Sequence, residues 1–553
     1  MTDIQIARQC KLQNITDIAQ KIGITPDRLE LYGNYKAKVC AKPAPKDGAK
    51  LVLVTAINPT AAGEGKTTVS IGLADGMNLV GANTCLALRE PSLGPVFGIK
   101  GGATGGGYSQ ILPMEDINLH FTGDFHAITS ANNLLCAMID NSVFQGNPLD
   151  IDPDRIVFNR CLDVNDRALR GVTVNHNVAN TTEHDEKFNI TAASEVMAVL
   201  TLAEDIVDLK KRLGNILVAY TRNGAPVFAR DLMAQDAMAI LLKDALKPNL
   251  VQTIGGTPAF VHCGPFANIA HGCNSVQATK LAMTYADYTV TEAGFGADLG
   301  AEKFLDVKCR LSGLVPDAVV VVATVRALKL HGGADKQNLK QPDVAALQKG
   351  LPNLLRHVGN ITNVYCLPCV VAVNRFTDDT ESEIAEIVAA VERLGVKAIV
   401  CDVWANGGAG ATDLAREVVR LCDIGGKQNF CFAYPTNADP VDKITAVATK
   451  IYGADGVELS DKAKDSLTQL QQTVDVSRLP VVIAKTQYST SDDPALLGAP
   501  TGFTLHVRDI EYRGGAGFLV VLAGNMLLMP GLPKTPNAVG MTISADGTID
   551  GLY

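Results

Sequence analysis

The sequence predicts an α/β protein with a mostly parallel, doubly wound sheet. Three observations carry this expectation. The apolar run Leu51-Val-Leu-Val-Thr-Ala-Ile57 ends in a glycine-containing turn and opens into a helical pattern. Short runs rich in Val and Ile then recur between helix-like segments, nearly continuous in hydrophobicity, as strands buried on both faces are. The 553 residues are 47% hydrophobic and 19% charged, which suits several buried cores and excludes a disordered or fibrous chain.

The first element is the most informative. After Asn58-Pro59 comes Thr60-Ala-Ala-Gly-Glu-Gly-Lys-Thr-Thr68, and then Val69, Leu73, Met77 and Val80 recur near one helical face. A strand, a glycine turn and a helix N-terminus in that order direct backbone N–H groups and partial positive charge at one point, which describes a P-loop. Lys66 brings full charge to the β- and γ-phosphates of a nucleotide, and Thr67 brings a hydroxyl for Mg²⁺. The loop departs from G-x-x-x-x-G-K-[ST] only in having Thr60 at the first glycine position. Lys100 and Arg89 are further cations for an anionic ligand.

The second element, Pro91 to Tyr108, is dense in glycine, a composition that raises the entropy lost on folding and calls for close backbone approach to a ligand or for a lid. Arg89 and Glu90 end a strand-like run and should face opposite ways, toward different ligands. His120 and His126 lack metal-ligand spacing and read as hydrogen-bonded core histidines. Further strand-like runs follow at Asn215–Tyr220, Ala259–His262, Tyr288–Glu292, Ala318–Thr324, Cys369–Asn374, Lys397–Trp404 and Phe430–Tyr434. Ligands in such sheets gather at the carboxyl ends of strands. There Phe376 and the single tryptophan, Trp404, would meet at one rim and sandwich a flat heterocycle.

A net charge of −9 argues against nucleic acid or an anionic membrane surface as partner. Thirteen scattered cysteines and an N-terminus without an apolar segment suggest reduced thiols in the cytoplasm. Cys366-Leu-Pro-Cys369 reads as two thiols packed beside a strand. The longest apolar stretch, Phe518 to Leu532, is too short and too interrupted to span a bilayer. Breaks near Asp335–Asp343 and Ala454–Asp465 suggest domains over 1–350, 351–455 and 456–553.

Six blocks carry a resemblance over nearly the whole chain: Gly63–Thr68, Arg89–Pro95, Gly98–Gly102, Met114–Asp124, Gly264–Ser275 and Glu292–Lys303. With them the chain resembles the formate–tetrahydrofolate ligases, in the monofunctional form. The resemblance implies that formate, MgATP and tetrahydrofolate, with or without a polyglutamate tail, give 10-formyltetrahydrofolate through formyl phosphate. It implies a large P-loop domain, a middle α/β domain bearing the folate-stacking aromatics and a smaller C-terminal α/β domain. By the family's pattern, Lys66 and Arg89 hold formate and the acyl phosphate, and Thr60, Ala61, Ala62, Gly63, Glu64, Gly65, Lys66, Thr67 and Thr68 cradle the nucleotide. Glu90 serves a monovalent cation, K⁺ or NH₄⁺, while Phe376, Trp404 and Asp124 receive the pterin. Homotetramers are usual in the bacterial members.

The family's loop usually reads Thr-Pro-Thr-Pro-Ala-Gly-Glu-Gly-Lys, so Asn58 and Ala61 depart from it. The rival reading is a deviant P-loop ATPase that switches a protein partner. That class carries an extra lysine where this chain has Ala61, Ala62 and Glu64.

Overall fold

The computed structural model of the chain describes every residue except Ala61, Ala62, Lys100, Gly101, Ala179, Asn180, Asn268, Ile269, Asn525 and Tyr553. Ala61, Ala62 and Lys100 therefore lie outside the described residues, and their expected roles in the loop with them.

The fold is α/β around one twelve-stranded mixed sheet. Its parallel part runs, in spatial order, Pro258–Val261, Thr84–Leu88, Tyr288–Glu292, Lys50–Ala56, Ala318–Ala323, Cys369–Asn374 and Lys397–Cys401. Antiparallel strands Asn249–Thr253, Ala37–Val39 and Leu29–Leu31 extend one side, and Ser109–Leu112 joins Asn249–Thr253. The chain reverses direction across Lys50–Ala56, so that strand sits at the switch point, with the Glu292 strand on one side and the Ala318 strand on the other.

Alternation along the central strands feeds two cores. Val52, Val54 and Ala56, with Val320 and Val322, pack against Val69, Leu73 and Met77 of helix Lys66–Leu79 and Leu414 and Val418 of helix Thr412–Ile424. Leu51 and Leu53, with Val319 and Val321, pack on the opposite face against Phe304, Leu328, Leu347 and Leu354. Both sets are fully buried, which is why the strands read as unbroken apolar runs rather than alternating ones.

The division expected at residue 350 falls inside this sheet. Val319–Ala323 pairs in register with Cys369–Val373, on the far side of that boundary. A hydrogen-bonded ladder between all-buried strands holds the two segments as one layer. The last expected domain is likewise built into the rest. In the three-stranded sheet of Val481–Ala484, Phe518–Leu522 and Asp509–Arg513, Val481, Ile483 and Leu519 join one core while Val482, Ala484, Phe518 and Val520 join another.

Two of the predicted strands lie elsewhere. Leu217–Thr221 belongs to a separate antiparallel sheet with Ile151–Ile156 and Pro226–Phe228. Phe430–Tyr434 is not a strand at all. Its aromatic rings turn sideways instead, with Phe432 and Tyr434 lying 3.9 and 4.6 Å from the Arg310 guanidinium, so cation–π contacts replace a ladder. No helix among the described residues is long and apolar enough to cross a membrane.

Candidate active site

The loop after the central strand is shaped by two left-handed glycines, Gly63 at φ 77° and Gly65 at φ 74°. Gly65 caps helix Lys66–Leu79, whose first-turn N–H groups lack intrahelical partners and carry the positive end of the helix dipole. The loop is braced from within by Thr60 N–H donating to Glu64 Oε1 at 2.9 Å. From outside, Asn374 Nδ2 at the end of its strand donates to the Glu64 carbonyl at 3.1 Å. A side chain on Gly65 would collide with that amide at 2.5 Å.

Lys66 opens the helix and Arg89 follows strand Thr84–Leu88. Loss of water pushes the Lys66 ammonium below its ordinary pKa, Glu64 and Glu292 oppose the shift, and Arg89 adds to it. The two cations therefore sense each other across the switch point. Arg89 Nε is buried with no hydrogen-bond partner, and a Cβ on Gly294 would lie 2.9 Å from its Nη1. Two neighbouring cations, one with an unsatisfied donor, have the charge and the free N–H that an anion would need.

Thr67 Oγ1 donates to Glu292 Oε2 at 2.9 Å. Glu292 ends the strand between the Lys50 and Thr84 strands and is only 2% exposed. Its role was not legible in the sequence. The signal present was a carboxylate at the end of an apolar run, and its meaning depends on which strand lies beside the loop. His120 and His126 are exposed rather than in the core, and among the described residues no cluster of His, Cys, Asp or Glu could hold a metal ion by itself.

Arg89 and Glu90 diverge as their spacing predicts. Glu90 is buried, and Oε2 has no hydrogen-bond partner. Burial raises its pKa well above the carboxylate range, Asp124 raises it further, and Lys38 opposes. Asp124, the expected pterin partner, is 2% exposed and accepts from Lys38 Nζ at 2.8 and 3.0 Å and from Asn249 Nδ2 at 2.8 Å. Both of its oxygens are committed inside the protein, because an unpaired Lys38 at this depth would be costly.

Phe376 and Trp404 follow adjacent parallel strands whose ends are in register, Asn374 opposite Cys401. Trp404 lies on the short helix Val403–Asn406 with 46% of its surface exposed. That helix rests directly on helix Lys66–Leu79, since Gly72 and Gly76 leave room on one face: a Cβ on Gly72 would meet Val403 at 2.5 Å, and one on Gly76 the Gly408 carbonyl at 2.9 Å. The end of the glycine-dense segment joins the same packing. Tyr108 N–H donates to the Trp404 carbonyl at 2.8 Å, and a Cβ on Gly107 would lie 2.1 Å from that oxygen. Gly106 and Gly107 thus lie against Trp404, while Gly94 and Gly98 lie against Asn165 and Gly102 against Asn118. Phe376 carries the Arg326 guanidinium on its ring at 4.3 Å, another contact that sequence spacing did not reveal.

Asn58, the departure before Pro59, is fully buried and saturated. Its Nδ2 donates to Asp298 Oδ1 and the Gln487 carbonyl at 3.1 and 3.0 Å; its Oδ1 accepts from Asn353 Nδ2 at 2.6 Å and meets His357 Nε2 at 3.0 Å. Asp298 in turn pairs with buried Lys485 at 2.6 Å. The carboxamide has the two donors and two acceptor positions this junction uses, whereas a threonine has one donor.

The family model described as Formate–tetrahydrofolate ligase matches residues 1–553. The formate–tetrahydrofolate ligase of Symbiobacterium thermophilum is 58% identical over 559 residues, covering 100% of both chains. That of Psychrobacter sp. (strain PRwf-1) is 57% identical over 566 residues, covering 100% of this chain and 99% of the relative. This full-length match places the chain in the formate–tetrahydrofolate ligase family.

Proposed function

We propose that the protein ligates formate to tetrahydrofolate with ATP, giving 10-formyltetrahydrofolate, ADP and phosphate through formyl phosphate. The observation that carries the site assignment is the convergence of Lys66 with Arg89 beside the N-terminus of helix Lys66–Leu79. Formate is a poor acyl donor, and phosphorylation turns one of its oxygens into a leaving group. A formate oxygen attacks the γ-phosphorus in line, the bond to the β-bridging oxygen breaks, and ADP leaves. Lys66 and the loop N–H groups neutralise charge on the transferred group, and the Arg89 fork binds carboxylate and then acyl-phosphate oxygens in pairs. N10 of the folate next attacks the formyl carbon and expels phosphate.

Thr60 to Thr68 form the nucleotide loop in this reading. The Thr67 hydroxyl and Glu292 carboxylate are hard oxygen donors suited to the Mg²⁺ that accompanies ATP, whose contribution is neutralisation of phosphate charge. The orphaned Glu90 oxygen suits a monovalent cation, K⁺ or NH₄⁺, with the Lys38–Asp124 pair behind it. Phe376 and Trp404 stack the pterin, the Arg326 guanidinium supporting Phe376. Asp124, held by Lys38 and Asn249, is a further candidate hydrogen-bond partner of the pterin. The enzyme works in the cytoplasm as a homotetramer; the resemblance supports the assembly, and composition supports the compartment. The nucleotide-switch alternative is not favoured, since the full-length relatives are ligases.

The deciding experiment is ADP release with MgATP and KCl, omitting formate or tetrahydrofolate in turn, with folate product measured after acid conversion to the methenyl form. Product that needs all three substrates is expected. ATP turnover indifferent to formate and folate would overturn the reading.

A further inference from the structure

The Cys366-Leu-Pro-Cys369 motif is not a pair in the fold. Cys369 lies on its strand, 7% exposed, with burial pushing its thiol up to about 12. Cys366 turns the other way. It follows Tyr365 at the end of the helical segment that begins at Val344, and its φ of 55° swings it out of the helix path. There it meets Cys431, from the loop after helix Thr412–Ile424.

Two contacts fix that meeting. Cys431 N–H donates to the Tyr365 carbonyl at 3.2 Å. The Phe430 and Tyr365 rings stack with centroids 6.5 Å apart and planes 17° from parallel. Burial raises the Cys366 thiol above its ordinary pKa, and the neighbouring Cys431 adds to the shift. That main-chain bond joins Cys431 to the residue before Cys366 and so brings the backbones of the two cysteines together, as a disulfide with Cα atoms less than about 7 Å apart requires. Cys431 is exposed and Cys366 half-buried, so both can be reached by a small reagent, whereas most other thiols of the chain are buried.

We propose that Cys366 and Cys431 form a reversible thiol–disulfide site, closed by exchange with a low-molecular-weight disulfide. The Cys431 thiolate attacks one sulfur of the reagent, its S–S bond breaks, and one small thiolate leaves. The Cys366 thiolate then attacks the Cys431 sulfur and releases the second. The two cysteines lose two electrons and two protons, the electrons ending on two small thiols. The closed bond would staple the 425–434 loop to the end of the Val344 helix. That loop also carries Phe432 and Tyr434, which clamp Arg310 against Asp306 at 3.0 Å. The protein should therefore resist unfolding better when oxidised, since the cross-link closes a long loop in the unfolded chain.

The test is incubation of the folded protein with oxidised glutathione at about pH 8.5, near the usual thiol pKa, followed by peptide mapping and thermal melting. The expected result is a Cys366–Cys431 cross-linked peptide and a Tm raised by several degrees, both reversed by dithiothreitol. Cys369→Ser should keep the cross-link, and Cys431→Ser should lose both it and the Tm gain. A wild-type map with glutathione adducts on Cys366 or Cys431 and no cross-link would overturn the proposal, as would a cross-link formed only after denaturation. The wild-type map decides even if a variant fails to fold.

Discussion

The Thr67 hydroxyl and the Glu292 carboxylate are joined by a 2.9 Å hydrogen bond that ties the first turn of helix Lys66–Leu79 to the end of the neighbouring strand. The bond brings a carboxylate to within reach of the nucleotide loop although 225 residues separate the two in sequence. Glu292→Gln keeps an acceptor for Thr67 but removes the charge. About a hundredfold loss in kcat/KM for MgATP is expected, the scale of losing one aligned charge-stabilising group, with the Mg²⁺ dependence of ADP release moved to higher concentration. An unchanged Mg²⁺ profile would reduce Glu292 to a cap for Thr67.

Arg89→Lys keeps the charge and removes the fork. Because paired recognition of a carboxylate and then of an acyl phosphate needs a planar donor set, formate-dependent ADP release should fall about a hundredfold. Nucleotide affinity, measured by calorimetry, should change little. Equal losses in both would mean that Arg89 holds ATP rather than the formyl group.

Trp404→Ala should raise KM for tetrahydrofolate about tenfold, in keeping with roughly 1.4 kcal/mol for one aromatic stacking contact, and leave KM for ATP alone. Because Trp404 is the only tryptophan, quenching of its fluorescence by tetrahydrofolate reports binding directly in the wild type. Loss of quenching in Phe376→Ala would tie the two rings to one ligand; full quenching would separate them.

Glu195 is buried, and its Oε1 accepts from Gly515 N–H at 2.8 Å. Burial pushes its pKa up to about 7, while Arg513 and the Gly515 and Ala516 N–H groups pull it down. A carboxyl raised in the folded state binds more protons there than in the unfolded chain. Its contribution to stability is therefore full below the ordinary carboxylate pKa and falls as pH rises toward 7, by about 3 kcal/mol. Glu195→Gln keeps the acceptor and cannot ionise. The difference in unfolding free energy between variant and wild type should shift in favour of the variant between pH 4.5 and 7, as measured by urea titration. A difference that stays flat would place the Glu195 pKa at its ordinary value.

The strand, turn and helix start around Gly63 to Lys66 were legible because local chemistry announces them: an apolar run, glycines and Lys-Thr occupy one short stretch. Phe376 could be placed after its strand for the same reason, as Cys369–Asn374 is buried on both faces, whereas the strand before Trp404 is partly exposed and Trp404 lies on the short helix that follows it. The contacts of Asp124 with Lys38 and Asn249 were not legible, since the sequence carries nothing to pair residues that far apart. Arg326 and Asn374 were missed because their partners, Phe376 and the Glu64 carbonyl, come from other strands.

The sequence by itself determined most of the strands of the central sheet, that this sheet is largely parallel, and that a glycine turn leads from Lys50–Ala56 into helix Lys66–Leu79. Burial on both faces and backbone conformation are written locally, in residue type and period. Tertiary structure alone decided that Glu292 stands beside Thr67, that Cys366 faces Cys431 rather than Cys369, and that one sheet continues past residue 350. Those relations depend on strand order. Strand order is set by how whole cores close against each other, through contacts between residues far apart in the chain, and no single window of sequence contains both partners.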